Sequence, residues 1–303
     1  MLRLWALIMA AGISAACSDW TEPEAVDQEI ERPHEQNPAL WQQYTKAVRA
    51  YKQSEHFFVY ARLYNSPQPA SSEKDFMRCL PDSLDFVSLT NADNFSKYDA
   101  EDMKRMRELG TRVLYQVDYA TRSEELSDAT KLGAYLDRVI ASVAANGLDG
   151  YSFTGIPNAS IPARAEAAAL IVSKLSAAKT AEQVLVFEGN PLFVNADDRT
   201  KVDYFVLDTD ATTTATELKL QVLNATGYAA VPAEKLLLAA AAGAPFNDEE
   251  GEEYAAITEI ANRVVSLGPL CGLAAYDIHN DYYDLDMNYK IIRNAIQTLN
   301  PSK

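Results

Sequence analysis

Short apolar runs recur along the chain at 56–65, 85–91, 112–118, 147–157, 183–188, 203–208, 235–240 and 272–277. Between them, apolar residues fall at helical spacing over 37–52, 99–109, 132–146, 163–178, 217–223, 253–265 and 289–299. The runs are too short for helices and are bounded by Gly, Pro and Asn, so they read as strands. Eight apolar strands alternating with helices predict a parallel sheet covered on both faces. Strand starts recur every 27 to 37 residues or so, with one interval of about 20 between the fifth and sixth, a spacing that suits a single (β/α)8 barrel of the α/β class. The short interval leaves room for only a turn or two. An open doubly wound sheet is the competing architecture, but no Gly-rich phosphate loop follows the first strand. The leading helix has Asn37 as cap and Pro38 in its first turn. Its Leu40, Trp41, Tyr44, Val48 and Tyr51 share one face and are expected to pack.

The fourth run, Gly147-Leu-Asp-Gly-Tyr-Ser-Phe-Thr-Gly-Ile-Pro157, is the most informative. Side chains alternate along a strand, so Ser152, Thr154 and Ile156 share the face expected to line the barrel and its mouth. Tyr151 and Phe153 take the face toward the helices. Gly155 and Pro157 mark the exit. The stretch resembles the fourth-strand signature of glycoside hydrolase family 18, written Asp-Gly-x-Asp-x-Asp-x-Glu, found in chitinases and endo-β-N-acetylglucosaminidases. Asp149 and Gly150 match its opening, whereas Ser152 and Thr154 stand for the later aspartates and Ile156 for the glutamate. In that family the glutamate protonates the leaving oxygen, and the aspartate before it assists the substrate's acetamido group. Ile156 has no proton to give and Thr154 no charge, so the resemblance implies the barrel without the family's chemistry. The layout from Gln53 to Pro301 is similar to the compact branch holding endo-β-N-acetylglucosaminidases, including lipoproteins of gut Bacteroidota that handle host N-glycans.

Residues 1–16 read as an address: Arg3, an apolar run from Leu4 to Ile13 too short to span a bilayer, then Ser14-Ala15-Ala16 before Cys17. The pattern resembles a bacterial lipoprotein signal with Cys17 lipidated, which implies a lipid anchor in the outer membrane. Residues 17–36 form an acidic, proline-bearing tether, similar to surface-export segments of Bacteroidota lipoproteins, so the cell surface is the expected location. Residues 37–303 then make one barrel with its leading helix. A formal charge of −16 disfavours nucleic acid and anionic headgroups as partners. Cys79 and Cys271 read as core positions before strands rather than a disulfide.

Barrel function concentrates where the strands end. Those ends place Tyr60, Arg62, Tyr64, Asn65, Asn91, Gln116, Asp118, Tyr119, Ser152, Thr154, Glu188, Asn190, Asp208, Asp210, Asn247, Asp248, Tyr276, Asp277 and His279 at the mouth. Aromatic rings with carboxylates and amides are what a neutral sugar needs, so Tyr60, Arg62, Asn65, Asp118, Tyr119, Glu188, Asn190, Asp208, Asp210, Tyr276 and Asp277 are the candidate ligand residues. The expected function is glycan binding, with N-acetylglucosamine-containing glycans, N-glycans among them, as ligands and neighbouring glycan-uptake proteins as partners. A second reading is a hydrolase with displaced carboxylates drawn from Glu188, Asp208 and Asp277. A third is a structural lipoprotein that docks on other surface proteins. No cofactor or metal is expected: the three histidines do not cluster, and the acidic run Asp277, Asp281, Asp284 and Asp286 lacks calcium-loop spacing and reads as a solvated loop.

Overall fold

The computed structural model describes residues 33–157 and 162–301. The leader, Cys17 and the tether before Pro33 lie outside the described residues. The chain divides between Gln43 and Tyr44 into a short leading unit and a large one. In the leading unit, Pro33–Gln36 is a helical turn (α1), within the stretch expected to be tether, and Pro38 opens α2 (Pro38–Gln53). Asn37 caps α2 as expected, its Oδ1 accepting from the Leu40 N–H at 3.0 Å.

In the large unit, eight parallel strands close into a barrel in chain order: β1 (Phe58–Leu63), β2 (Phe86–Leu89), β3 (Arg112–Val117), β4 (Gly150–Gly155), β5 (Val184–Gly189), β6 (Tyr204–Leu207), β7 (Leu236–Ala241) and β10 (Gly272–Tyr276), which returns to β1. The expected (β/α)8 barrel is the fold. Helices α3 (Lys97–Leu109), α5 (Ala129–Asn146), α6 (Pro162–Ala178), α7 (Ala215–Leu223), α8 (Ala256–Ser266) and α9 (Lys290–Leu299) connect or follow strands, and α4 (Tyr119–Arg122) is a short turn after β3. Their ends are local chemistry. Ser96 and Asp99 form a capping box on α3, and Gly110 and Gly147 close α3 and α5 in left-handed geometry. As the short interval required, β5 and β6 are joined only by 3-10 turns at Pro191–Phe193 and Ala196–Lys201.

The period of two along each strand sorts the side chains. Tyr60, Phe86, Leu114, Val186, Val206, Leu237, Ala274 and Tyr276 form the inner cluster. Phe153, Phe187 and Phe205 pack together on the opposite face, with successive ring centroids 5.0 and 6.1 Å apart. At the barrel floor three aspartates do one job. Asp85, Asp149 and Asp203 each accept the N–H of the second residue of the preceding strand, from Val59, Val113 and Leu185, all at 2.8 Å. The Asp149-Gly150 pair of β4 is therefore explained structurally: the carboxylate pins β3, and a Cβ at Gly150, whose φ is 139°, would lie 2.1 Å from the Val184 carbonyl oxygen.

Three expectations change. The predicted helix over 253–265 starts at Ala256, because Glu253–Ala255 (β9) pairs antiparallel with Pro245–Asn247 (β8). The α2 face is only partly packed: Tyr44 is exposed and its hydroxyl donates to Asp82 at 2.8 Å. In the acidic run, Asp281 is buried rather than solvated, accepting the N–H groups of Ile291 (3.1 Å) and Ile292 (2.8 Å) at the start of α9. Cys79 and Cys271 are both free thiols. No helix among the described residues is long and apolar enough to cross a membrane.

Candidate functional site at the barrel mouth

The site is built around one carboxylate. Glu188, the penultimate residue of β5, points inward and is 1% exposed. Its Oε1 accepts from Tyr60 Oη at 2.8 Å, Gln116 Nε2 at 2.9 Å and Ser88 Oγ at 3.2 Å. Its Oε2 accepts from Arg62 Nε at 2.5 Å and Tyr276 Oη at 3.1 Å. These five donors come from β1, β2, β3 and β10, so the network ties both sides of the barrel together. They saturate the roughly four lone-pair directions a carboxylate offers. Burial alone pushes a carboxyl group up, but the Arg62 guanidinium and the hydrogen bonds from Gln116 and Tyr60 outweigh it and hold Glu188 below its usual range. Glu188 is thus an ionised, fully engaged anchor, not an acid with a proton to give. Burial and then the Glu188 charge push the Tyr60 and Tyr276 phenols well above their ordinary value, so both stay donors.

Above this anchor the Arg62 guanidinium lies 3.5 Å from the centroid of the Tyr276 ring. Tyr276 is only 3% exposed. Tyr60 and Tyr276, expected as ligand platforms, are therefore sealed in the throat, one by its neighbours and the other under Arg62. Two further candidates are also buried. Asn65 accepts from the Asn91 N–H at 3.1 Å, and Tyr119 packs on Phe193 with centroids 5.8 Å apart. The structure brings Tyr60, Arg62, Glu188 and Tyr276 together.

The three strand-four positions diverge. Ser152 Oγ shares a 2.8 Å hydrogen bond with Ser88 Oγ beneath Glu188. Thr154 Oγ1 donates to Asp118 Oδ1 at 2.7 Å and accepts the Ala120 N–H at 3.0 Å, so both it and Asp118 are spent on holding α4. Ile156 stands just past the strand, 56% exposed. An aliphatic side chain therefore projects at the rim where the signature carries glutamate.

The other candidates lie at the edge. Asn190 is exposed and caps the turn after β5, accepting the Leu192 N–H at 3.1 Å. Asp277 is exposed in left-handed backbone (φ 49°) just past β10. Asp208 is exposed after β6, and beside it the Asp210 carboxyl is pushed up to about 6 by burial and then by Asp208, with Arg62 opposing. Among the described residues no three His, Cys, Asp or Glu side chains group as a metal site. Ser88 escaped the sequence reading. It carries a signal nonetheless: a hydroxyl two positions after Phe86, on the inward parity of an otherwise apolar strand.

The fold is a closed (β/α)8 barrel with its polar network at the mouth. The sequence model of glycoside hydrolase family 18, BT1044-like, matches residues 21–136, a stretch that ends before β4. The barrel is similar to a selenomethionine form of BT1044 (17% identity, TM-score 0.70, covering 89% of this chain and 96% of that one). It is similar also to an endo-β-N-acetylglucosaminidase from Cordyceps militaris (14%, TM-score 0.67, 86% and 96%). A chitinase from Bacteroides thetaiotaomicron matches at 9% identity and TM-score 0.64, covering 81% and 97%. No curated protein matches the chain. The resemblance to family 18 thus rests on residues 21–136, in the BT1044-like form, and on the fold.

Proposed function

We propose that this protein binds glycans through a family-18-like barrel that lacks the catalytic acid. The observation that carries the reading is β4 itself. It keeps the Asp149-Gly150 pair, which serves the floor of the barrel, and offers Ser152, Thr154 and an exposed Ile156 where an acid and its partners would be needed. The one carboxylate deep in the mouth, Glu188, is ionised and saturated, which supports holding over cutting. The ligand class is N-acetylglucosamine-containing glycan, N-glycans included, by likeness to the proteins whose barrels this one shares. Cys17 is part of the same proposal: lipidated, it anchors the chain in the outer membrane at the cell surface, where glycan-uptake proteins are its neighbours.

A glycan array run beside a hydrolysis assay tests the proposal. Saturable binding without product supports it, and the absence of binding to any glycan favours a docking role instead. One observation favours a second reading, residual hydrolysis. Asp210, pushed up to about 6 beside Asp208, is a carboxyl able to hold a proton near neutral pH. Glycan release that disappears in Asp210→Asn would establish that reading.

A further inference from the structure

We propose that the carbohydrate contact of this barrel lies on its rim, on the exposed rings of Tyr64 and Tyr283, and that it takes neutral pyranosides rather than anionic ones. The proposal rests on the glycan-binding reading above and deepens it.

A pyranose binds aromatic side chains by laying its C–H face on an open ring. The throat offers none: Tyr60 is fully buried and Tyr276 lies under the Arg62 guanidinium. The rim does. Tyr64 directly follows β1 and is 60% exposed, and Tyr283 lies in the segment after β10 and is 69% exposed. Strands β1 and β10 are hydrogen-bonded neighbours, in register Phe58 to Gly272, so the segments that carry the two rings leave the barrel side by side.

Tyr283 is held in place although it is open to solvent. Its neighbour Tyr282 is buried, meets it edge-on with centroids 4.7 Å apart at 89°, and donates its hydroxyl to Glu73 Oε2 at 3.0 Å. That bond ties the segment after β10 to the loop after β1. The same loop is closed by Ser66 N–H donating to the Asp75 carbonyl at 2.9 Å, and it sets Lys74 Nζ 5.9 Å from the Tyr283 centroid. An ammonium beside an open ring supplies a donor for sugar hydroxyls. A ring positioned by its neighbours needs little ordering when a ligand arrives.

Charge decides the class. Glu73 holds Tyr282 next to Tyr283, and Asp277, Asp284 and Asp286 belong to the same segment after β10, where Lys290 is already paired with Asp284 (3.3 Å) and Asp286 (2.5 Å). Lys74 is the cation beside the Tyr283 ring, and the segment sets more than one carboxylate against it. An anionic sugar would meet net repulsion here.

The test is a titration of the protein with the neutral N-acetylglucosamine tetrasaccharide and, separately, with sialyllactose. It is followed calorimetrically and through the ring resonances of labelled tyrosines. Tyr64→Ala and Tyr283→Ala should each weaken tetrasaccharide binding about 3- to 10-fold, the range of one aromatic contact. Tyr283→Phe should retain it. Ring resonances of Tyr64 and Tyr283 should shift on binding, and sialyllactose should bind more weakly than the tetrasaccharide. Both rings are exposed, so circular dichroism of the alanine variants should match wild type. Wild-type binding that survives both alanine substitutions within twofold overturns the rim site and leaves glycan binding standing. Sialyllactose binding as tight as the tetrasaccharide overturns the neutral class. If wild type binds neither this probe nor any sugar on the array, the glycan reading itself fails and the rim site with it.

Discussion

Removing the Arg62 guanidinium is the perturbation that most directly questions the anchor in the throat. Arg62→Ala leaves Glu188 1% exposed, with four neutral donors and no opposite charge. Breaking one side of a buried ion pair typically costs about 3–5 kcal/mol. Arg62 itself keeps 28% of its side-chain surface, so the lower end, about 3 kcal/mol, is the figure to expect. For a domain this size that is a fall in Tm of about 6–12 °C. The pH dependence should also change sign. In wild type Glu188 is held below its unfolded value of about 4.3, so its contribution is present above that pH and is lost as pH falls through the folded value. Without Arg62, burial dominates and raises the group. The folded state then holds the proton longer than the unfolded one, and stability falls as pH rises above about 4.3. Urea unfolding of wild type, Arg62→Ala, Glu188→Gln and the double variant at several pH values between 4 and 7 measures both effects and their coupling. A loss below about 1 kcal/mol in Arg62→Ala with an unchanged pH slope would refute the reasoning, because the pair would then be a surface-like contact.

Gly150→Ala should destabilise the barrel by about 3 kcal/mol or more, since it combines a positive φ with a Cβ driven into the Val184 carbonyl; equilibrium unfolding checks it. Asp149→Asn, which weakens the charge-assisted bond to the Val113 N–H, should cost about 1–2 kcal/mol by the same measurement. Asp208→Asn should bring the Asp210 carboxyl down from about 6, read by carbon NMR. With Asp210 raised in the folded state, wild-type stability loses this group's contribution as pH rises from about 4 to 6, and the variant loses less. Joint replacement of Ser152→Asp, Thr154→Asp and Ile156→Glu should confer measurable hydrolysis of an N-acetylglucosamine oligosaccharide if the rest of the mouth admits substrate. Product analysis by mass spectrometry decides it.

The barrel was legible because its signal is local and repeated: apolar runs at regular spacing, helix stops at Gly110 and Gly147, and a period of two that placed Ser152 and Thr154 inside and Phe153 outside. The β8–β9 hairpin was not, because three residues a side carry no period and the pairing is set by the fold around it, including the bridge from Thr214 to Asn247. The mouth was half legible. The strand ends put Tyr60, Arg62, Glu188 and Tyr276 at one end of the barrel, but did not give their sealing. The Tyr60–Glu188 and Tyr276–Glu188 bonds join residues 128 and 88 apart in the chain, and nothing in either neighbourhood says that the rings turn into the throat instead of toward a ligand. The same limit hid Ser88, and it gave Asp281 to solvent when the start of α9 claims it.

The central claim, that this mouth holds a glycan and does not cut it, comes down to one experiment. The unmodified protein is incubated with an N-glycosylated glycoprotein and with N-acetylglucosamine oligosaccharide, and binding and released sugar are followed in the same samples. The account predicts saturable binding with both ligands recovered intact. Release of free glycan at an enzyme-like rate would contradict it.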